Sequence, residues 1–177
     1  MLDQYEKLSS RYAVKPLTED DVPDIYAVCR ENPLYYQYMR VPLTPEGIRE
    51  DLTALPGGKS LEDKTFVGFY ESGRLVAFLD LIAGYPDQDT AYIGWFMVER
   101  SRQGAGVGTG IISEAAAFLK ERGFRRIRLG YMKGNQQSGS FWAKNKFVPT
   151  GTESLQEFGA VVHMERALWD GEAGGCA

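Results

Sequence analysis

A chain of 177 residues, 44% hydrophobic and 25% charged, is long enough to bury one sizeable core without disulfides or metal. Its two cysteines, Cys29 and Cys176, make no disulfide framework, and its net charge of -4 argues against a basic nucleic-acid-binding stripe. No apolar run reaches the ~20 residues of a membrane-spanning helix, and residues 1–7 hold no apolar signal-peptide core, so the expected setting is the cytoplasm, away from membranes.

The pattern predicts one domain over residues 11–168, with flexible ends at 1–10 and 169–177, the latter because the small residues from Gly171 onward have nothing to bury. Arg11 to Leu17 reads as a first strand. Asp20 is the expected N-cap of a helix with Pro23 in its first turn and Val22, Ile25, Tyr26 and Cys29 on one face; Pro33 is expected to close it. Thr44-Pro45 opens a second helix burying Ile48, Leu52 and Leu55, and Pro56-Gly57-Gly58 ends it. Two strands, Thr65 to Tyr70 and Arg74 to Ala83, join across a short glycine-containing turn in hairpin fashion, and a fourth runs from Ala91 to Val98. Ile111, Ile112, Ala115, Phe118 and Leu119 mark an amphipathic helix that Gly123 caps. A strand (Arg126 to Met132), a short helix (Gln136 to Asn145) and two strands (Phe147 to Thr152, Ala160 to Ala167) complete a mixed α/β order with one strand–helix–strand crossover.

Between the fourth strand and the amphipathic helix stands Gln103-Gly104-Ala105-Gly106-Val107-Gly108-Thr109, with Arg100 and Arg102 beside it. Open N–H groups at a helix start and the positive end of its dipole suit phosphate oxygens, and glycine lets the backbone approach them. A plain structural turn would use the same residues. The G-x-G-x-x-G dinucleotide pattern fails, because its last position falls on Thr109 or Ile111, and no P-loop pattern is present. A coenzyme A pyrophosphate site is the third reading.

Here the sequence resembles the GNAT-type N-acetyltransferases. Their signature of Gln or Arg, two residues, Gly, one residue, then Gly or Ala is matched by Gln103, Gly106 and Gly108. Asn135, Ser138, Phe141, Trp142 and Phe147 stand at the offsets of the family's second feature, which follows the fifth strand. The resemblance runs from Arg11 to Ala167. It implies a GNAT-like fold, with a central, mostly antiparallel mixed sheet of six to seven strands flanked by about four helices. It further implies an acetyl-CoA-dependent N-acetyltransferase that needs no metal and acts by direct transfer on a primary amine of a small molecule or peptide. The alternative is a non-catalytic acyl-CoA-binding or sensing module.

By the same resemblance, backbone groups of Phe96, Met97 and Val98 would line the pantetheine arm, and the Phe96 N–H would stabilise the oxyanion. The N–H groups from Gln103 through Gly104, Ala105, Gly106, Val107 and Gly108 to Thr109 would hold the pyrophosphate. Asn135 would bond pantetheine, with Ser138 and Trp142 beside it. Two departures stand out. Trp142 occupies the position where the family often has a tyrosine acid, and indole donates no proton at neutral pH. Lys146 replaces the usual glycine before Phe147, with Asn145 as the substitute cap.

The base is less plainly marked. Asp80 interrupts the apolar run Leu75 to Ala83, on a strand face with Val76, Phe78 and Ile82, and reads either as base or as a solvated edge residue. Tyr92, Tyr131 and the sole histidine, His163, are weaker candidates, and Cys29 on an apolar stripe reads as packing. Tyr35, Tyr36, Tyr38 and Met39 either wall an acceptor pocket, cap the core or meet a second subunit in a homodimer.

Overall fold

The structure, a computed structural model, describes residues 2–157 and 159–169. The tail expected from Gly171 onward, Cys176 included, lies outside them. Seven strands form one sheet in the order β1-β2-β3-β4-β5-β7-β6: β1 (Ala13–Pro16), β2 (Lys64–Glu71), β3 (Arg74–Ala83), β4 (Thr90–Val98), β5 (Arg126–Met132), β6 (Val148–Gln156) and β7 (Gly159–Ala167). Every neighbouring pair is antiparallel except β4 and β5, which run parallel. That pair requires a crossover, and α4 (Val107–Glu121) supplies it.

Helices α1 (Val22–Arg30) and α3 (Pro45–Thr53) cover one face of the β1–β4 half. They bury Ile25, Val28, Cys29 and Ile48 against Phe66, Phe78, Trp95 and Met97. α4 covers the other face, packing Ile111, Ile112, Ala115, Phe118 and Leu119 onto Val67, Leu79, Leu81 and Leu129. α5 (Gln136–Lys144) stands at the open end between β5 and β6. Among the described residues, no helix is long and apolar enough to cross a membrane.

Several local expectations change. Pro33 does not simply close α1; it opens a fifth helix, α2 (Pro33–Met39), behind Asn32. Proline has no N–H to lose in a first turn, so it can start a helix as well as stop one. Asp20 is not the cap, because Thr18 and Asp21 form a reciprocal capping box around the short turn Glu19–Asp21 that leads into α1. Val76 leaves the face of Asp80 and Phe78: the β2–β3 register jumps from Phe69↔Ala77 to Tyr70↔Leu75, so Val76 is an inserted bulge residue.

The packed unit also begins before Arg11. Leu8 is fully buried, worth ~2 kcal/mol for such a side chain, and Ser9 and Ser10 bond the Glu114 carboxylate of α4.

At the end of α5, Asn145 Nδ2 donates to the Phe141 carbonyl at 2.8 Å, which makes Asn145 the expected cap. Lys146 then takes the left-handed conformation, with φ of 68°. A side chain there is strained by ~1 kcal/mol. Lys146→Gly is therefore expected to raise stability by roughly 0.5–1 kcal/mol in urea unfolding, with the m-value unchanged.

Candidate functional site

The site originates in an irregularity of β4. Asp80 of β3 pairs with Trp95, but Leu81 pairs with Ile93, so Gly94 is an extra residue that bends the strand. A Cβ on Gly94 would lie 2.6 Å from Asp80 Oδ2, so only glycine fits under that carboxylate. On its other side β4 follows β5 from Thr90↔Arg126 to Ile93↔Leu129, and the pairing stops at the bulge. From Gly94 onward the two strands part.

Two hollows flank this wedge. A groove of about 720 Å³ runs between the start of α2, β4, the glycine-rich turn and α5. A pocket of about 340 Å³ lies over β4, β5 and β7, walled on one side by Tyr35, Tyr38 and Met39 of α2. They share Tyr35, Phe96, Asn135, Ser138 and Trp142, so groove and pocket meet at the splay.

The glycine-rich turn forms the outer end of the groove. Gly106, with φ of 82°, is the N-cap of α4 and supplies no side-chain acceptor. The first ladder bond is Gly110 N–H to the Gly106 carbonyl at 2.9 Å, which leaves the N–H groups of Val107, Gly108 and Thr109 as open first-turn donors. Gln103 braces the turn: its Nε2 donates to the Val98 carbonyl at 2.9 Å and to Asn32 Oδ1 at 2.6 Å. Asn32 Nδ2 in turn donates to the Val28 carbonyl at 2.8 Å, tying the turn to α1. Sequence reading missed Asn32, since only a contact across 71 residues reveals it.

Of the expected cofactor residues, Phe96, Met97, Val98, Gln103, Gly104, Gly106, Gly108, Thr109, Asn135, Ser138 and Trp142 line the groove. Ala105 and Val107 do not; the Val107 side chain is buried in the core that α4 covers. Asn135 caps α5, its Oδ1 accepting from the Ser138 N–H at 3.1 Å. The Trp142 ring is buried at the junction, edge-on to Phe141 and Phe147. Tyr38 of α2 donates to the Gly134 carbonyl at 3.0 Å and lines the pocket.

The titratable groups divide sharply. Asp80 is buried, not a solvated edge residue, and lines neither hollow. Lys64 Nζ donates to Asp80 Oδ2 at 2.7 Å and to the Ala54 carbonyl at 3.0 Å, while Asp80 Oδ1 has no partner. Burial outweighs the lysine and holds the Asp80 carboxyl up at about 6. By contrast Tyr92, Tyr131 and His163, scattered in the sequence, all line the pocket. Burial, helped by Tyr85, raises the Tyr92 phenol, so it stays neutral. Burial also pushes the Cys29 thiol up to about 12, which removes it as a thiolate nucleophile. No cluster of three or more His, Cys, Asp or Glu fit to hold a metal occurs among the described residues.

Solved structures share this architecture. An acetyltransferase from Thermus thermophilus is 22% identical, with a TM-score of 0.69, covering 87% of this chain and 95% of its own. The PaiA N-acetyltransferase from Thermoplasma acidophilum, in complex with coenzyme A, is 18% identical with a TM-score of 0.63, covering 87% and 97%. The ribosomal-protein-S18-alanine N-acetyltransferase from Escherichia coli is 17% identical with a TM-score of 0.61, covering 90% and 96%. At such identities the likeness is one of fold. No curated protein matches the sequence. The model of the acetyltransferase (GNAT) family matches residues 24–147, more than half of the chain and the whole of the splay, turn and α5. This chain is therefore a member of the GNAT acetyltransferase family.

Proposed function

We propose that the protein transfers an acetyl group from acetyl-CoA directly to a primary amine. The observation that carries this reading is the meeting of groove and pocket at Phe96 and Trp142, which lets a thioester and an amine come together between β4 and β5.

In this reading the pyrophosphate sits on the open N–H groups at the start of α4, where the helix dipole favours an anion. The pantetheine arm runs along β4 from Val98 to Phe96, where parting from β5 frees backbone groups, and Asn135 bonds it from the other side. The PaiA N-acetyltransferase, which shares the fold, was solved in complex with coenzyme A, which supports the choice of cofactor. The Phe96 N–H then meets the charge that develops on the thioester oxygen, a contribution of ~3 kcal/mol for one positioned donor. Trp142 walls the thioester without donating a proton, so the departing thiolate takes its proton from water or from the pocket. The pocket is lined by tyrosines, Trp95 and Phe96, with no Asp, Glu, Lys or Arg among its lining residues. That lining favours an amine, on a small molecule or a peptide end, carried by an uncharged and aromatic-tolerant body.

Titration calorimetry with acetyl-CoA is expected to give one site per chain, with a Kd in the micromolar range. Free thiol should then appear when a panel of aromatic and aliphatic primary amines is added. No heat at about 1 mM ligand, far above that range, would defeat the reading.

A further inference from the structure

Deprotonation of the acceptor amine is the one task that the proposed transfer leaves unassigned, and the pocket contains a group shaped for it. We propose that His163, oriented by Ser154, takes the proton from the attacking amine through Nδ1. This inference rests on the reading of the pocket as the acceptor site.

His163 of β7 lies opposite Gly130 of β5, the first residue of that strand beyond its pairing with β4. Position 130 cannot hold a side chain, because the pocket wall converges there. A Cβ on Gly130 would lie 2.6 Å from Val161 Cγ1, 3.2 Å from the Tyr92 hydroxyl and 3.6 Å from His163 Nδ1. Thus Nδ1 and the Tyr92 hydroxyl border one gap at the root of the splay, within the pocket that Phe96 also lines.

The other ring nitrogen is engaged. His163 Nε2 lies 2.9 Å from Ser154 Oγ of β6. When Nε2–H donates to that hydroxyl, Nδ1 keeps its lone pair and faces the gap, the tautomer a base requires. Ser154 is a positioning residue in this arrangement. The titratable side chains sharing the pocket with His163 are Tyr35 and Tyr38 of α2, Tyr92 of β4 and Tyr131 of β5. The nearest charges along the sheet, Arg128 of β5 and Glu165 of β7, neutralise each other at 2.7 Å. Among the described residues no carboxylate lines the pocket to compete for the role, and Asp80 is held by Lys64.

The step balances. The neutral amine nitrogen forms its bond to the thioester carbon as the carbon–sulfur bond breaks. One N–H proton passes to His163 Nδ1 and then, directly or through water, to the thiolate, giving amide and free thiol.

Because His163 is the only histidine, two independent experiments decide the matter. In 15N-labelled protein the single imidazole is expected to be the Nε2–H tautomer at alkaline pH; an Nδ1–H tautomer overturns the proposal whatever the activity. In the thiol-release assay, with 2-phenylethylamine as probe amine, His163→Gln keeps a donor toward Ser154 but has no basic nitrogen. It should lower kcat by about 100-fold or more and change the acid limb of the pH–rate profile, with acetyl-CoA affinity unchanged. Ser154→Ala should lower kcat roughly 10-fold and shift that limb, and Ser154→Thr should restore both. A His163→Gln variant with wild-type kcat and pH profile overturns the assignment. Wild-type protein that fails to bind acetyl-CoA instead overturns the underlying function, while the tautomer measurement still decides the ring.

Discussion

Gly106→Asp is expected to weaken acetyl-CoA binding by about 100-fold or more, roughly 2.7 kcal/mol, while leaving a folded protein. Two physical effects combine. Gly106 is the N-cap of α4 at φ of 82°, so any side chain adds strain there, of about 1–2 kcal/mol. Aspartate is ordinarily a good N-cap, but it caps from extended backbone, which this position does not adopt. Uncapped, its carboxylate still sets a negative charge beside the open first-turn donors, where the pyrophosphate is proposed to sit. The fold should survive because nothing lies within 4 Å of a Cβ at this position. Gly106→Ala carries the strain without the charge and should lose far less affinity. Calorimetric titration of both variants separates the two effects, and an aspartate variant of unchanged affinity would place the phosphate site elsewhere.

Lys64→Met should strongly destabilise the fold. Lys64 and Asp80 are both buried, and removing one partner of such a pair costs on the order of 3–5 kcal/mol, or roughly 10 °C in Tm for a domain of this size. The cost depends on pH in a definite direction. The folded state holds the Asp80 carboxyl at about 6, against an ordinary 3.8, so between those values the native protein binds more protons than the unfolded chain. Asp80's contribution to stability is therefore fully present below the lower value and is lost as pH rises through the upper one. Without Lys64 the carboxylate loses its one cation, so the gap between variant and wild type should be widest near neutrality. It should narrow in acid, where Asp80 becomes neutral. Urea melts across the acid-to-neutral range measure this, and a gap that does not vary with pH would mean the loss is packing alone. Asp80→Asn should remove the slope that Asp80 causes while leaving Lys64 buried without its anion.

Much of this molecule was legible in the order of its residues. The spacing Gln103-x-x-Gly106-x-Gly108, in register with Asn135 and Phe147, pointed to the groove proposed for the cofactor because turn chemistry and helix starts are local. Ile111, Ile112, Ala115, Phe118 and Leu119 announced α4 by helical period alone, and α4 buries that face. Local rules failed where two of them competed. Pro33 carries both a stop and a start signal, and packing of Tyr35 of α2 against Trp95 favours the second.

What pairing across the sheet decides could not be read along the chain. The apolar run around Asp80 left it as either a base or a solvated edge residue, and no local pattern shows that Lys64, 16 residues away, covers it. Nor could it show that Gly94 is the bulge that ends the β4–β5 pairing. His163 looked like an ordinary strand histidine because its surroundings, Ser154 bonded to its ring and Gly130 and the Tyr92 hydroxyl bordering the same gap, come from other strands. The sequence by itself determined the family, the turn that offers backbone donors and the helix that carries its dipole, since these depend on residues a few positions apart. Register and bulges decided where the sheet splays and which titratable groups face the opening, because one extra residue in β4 redirects everything beyond it.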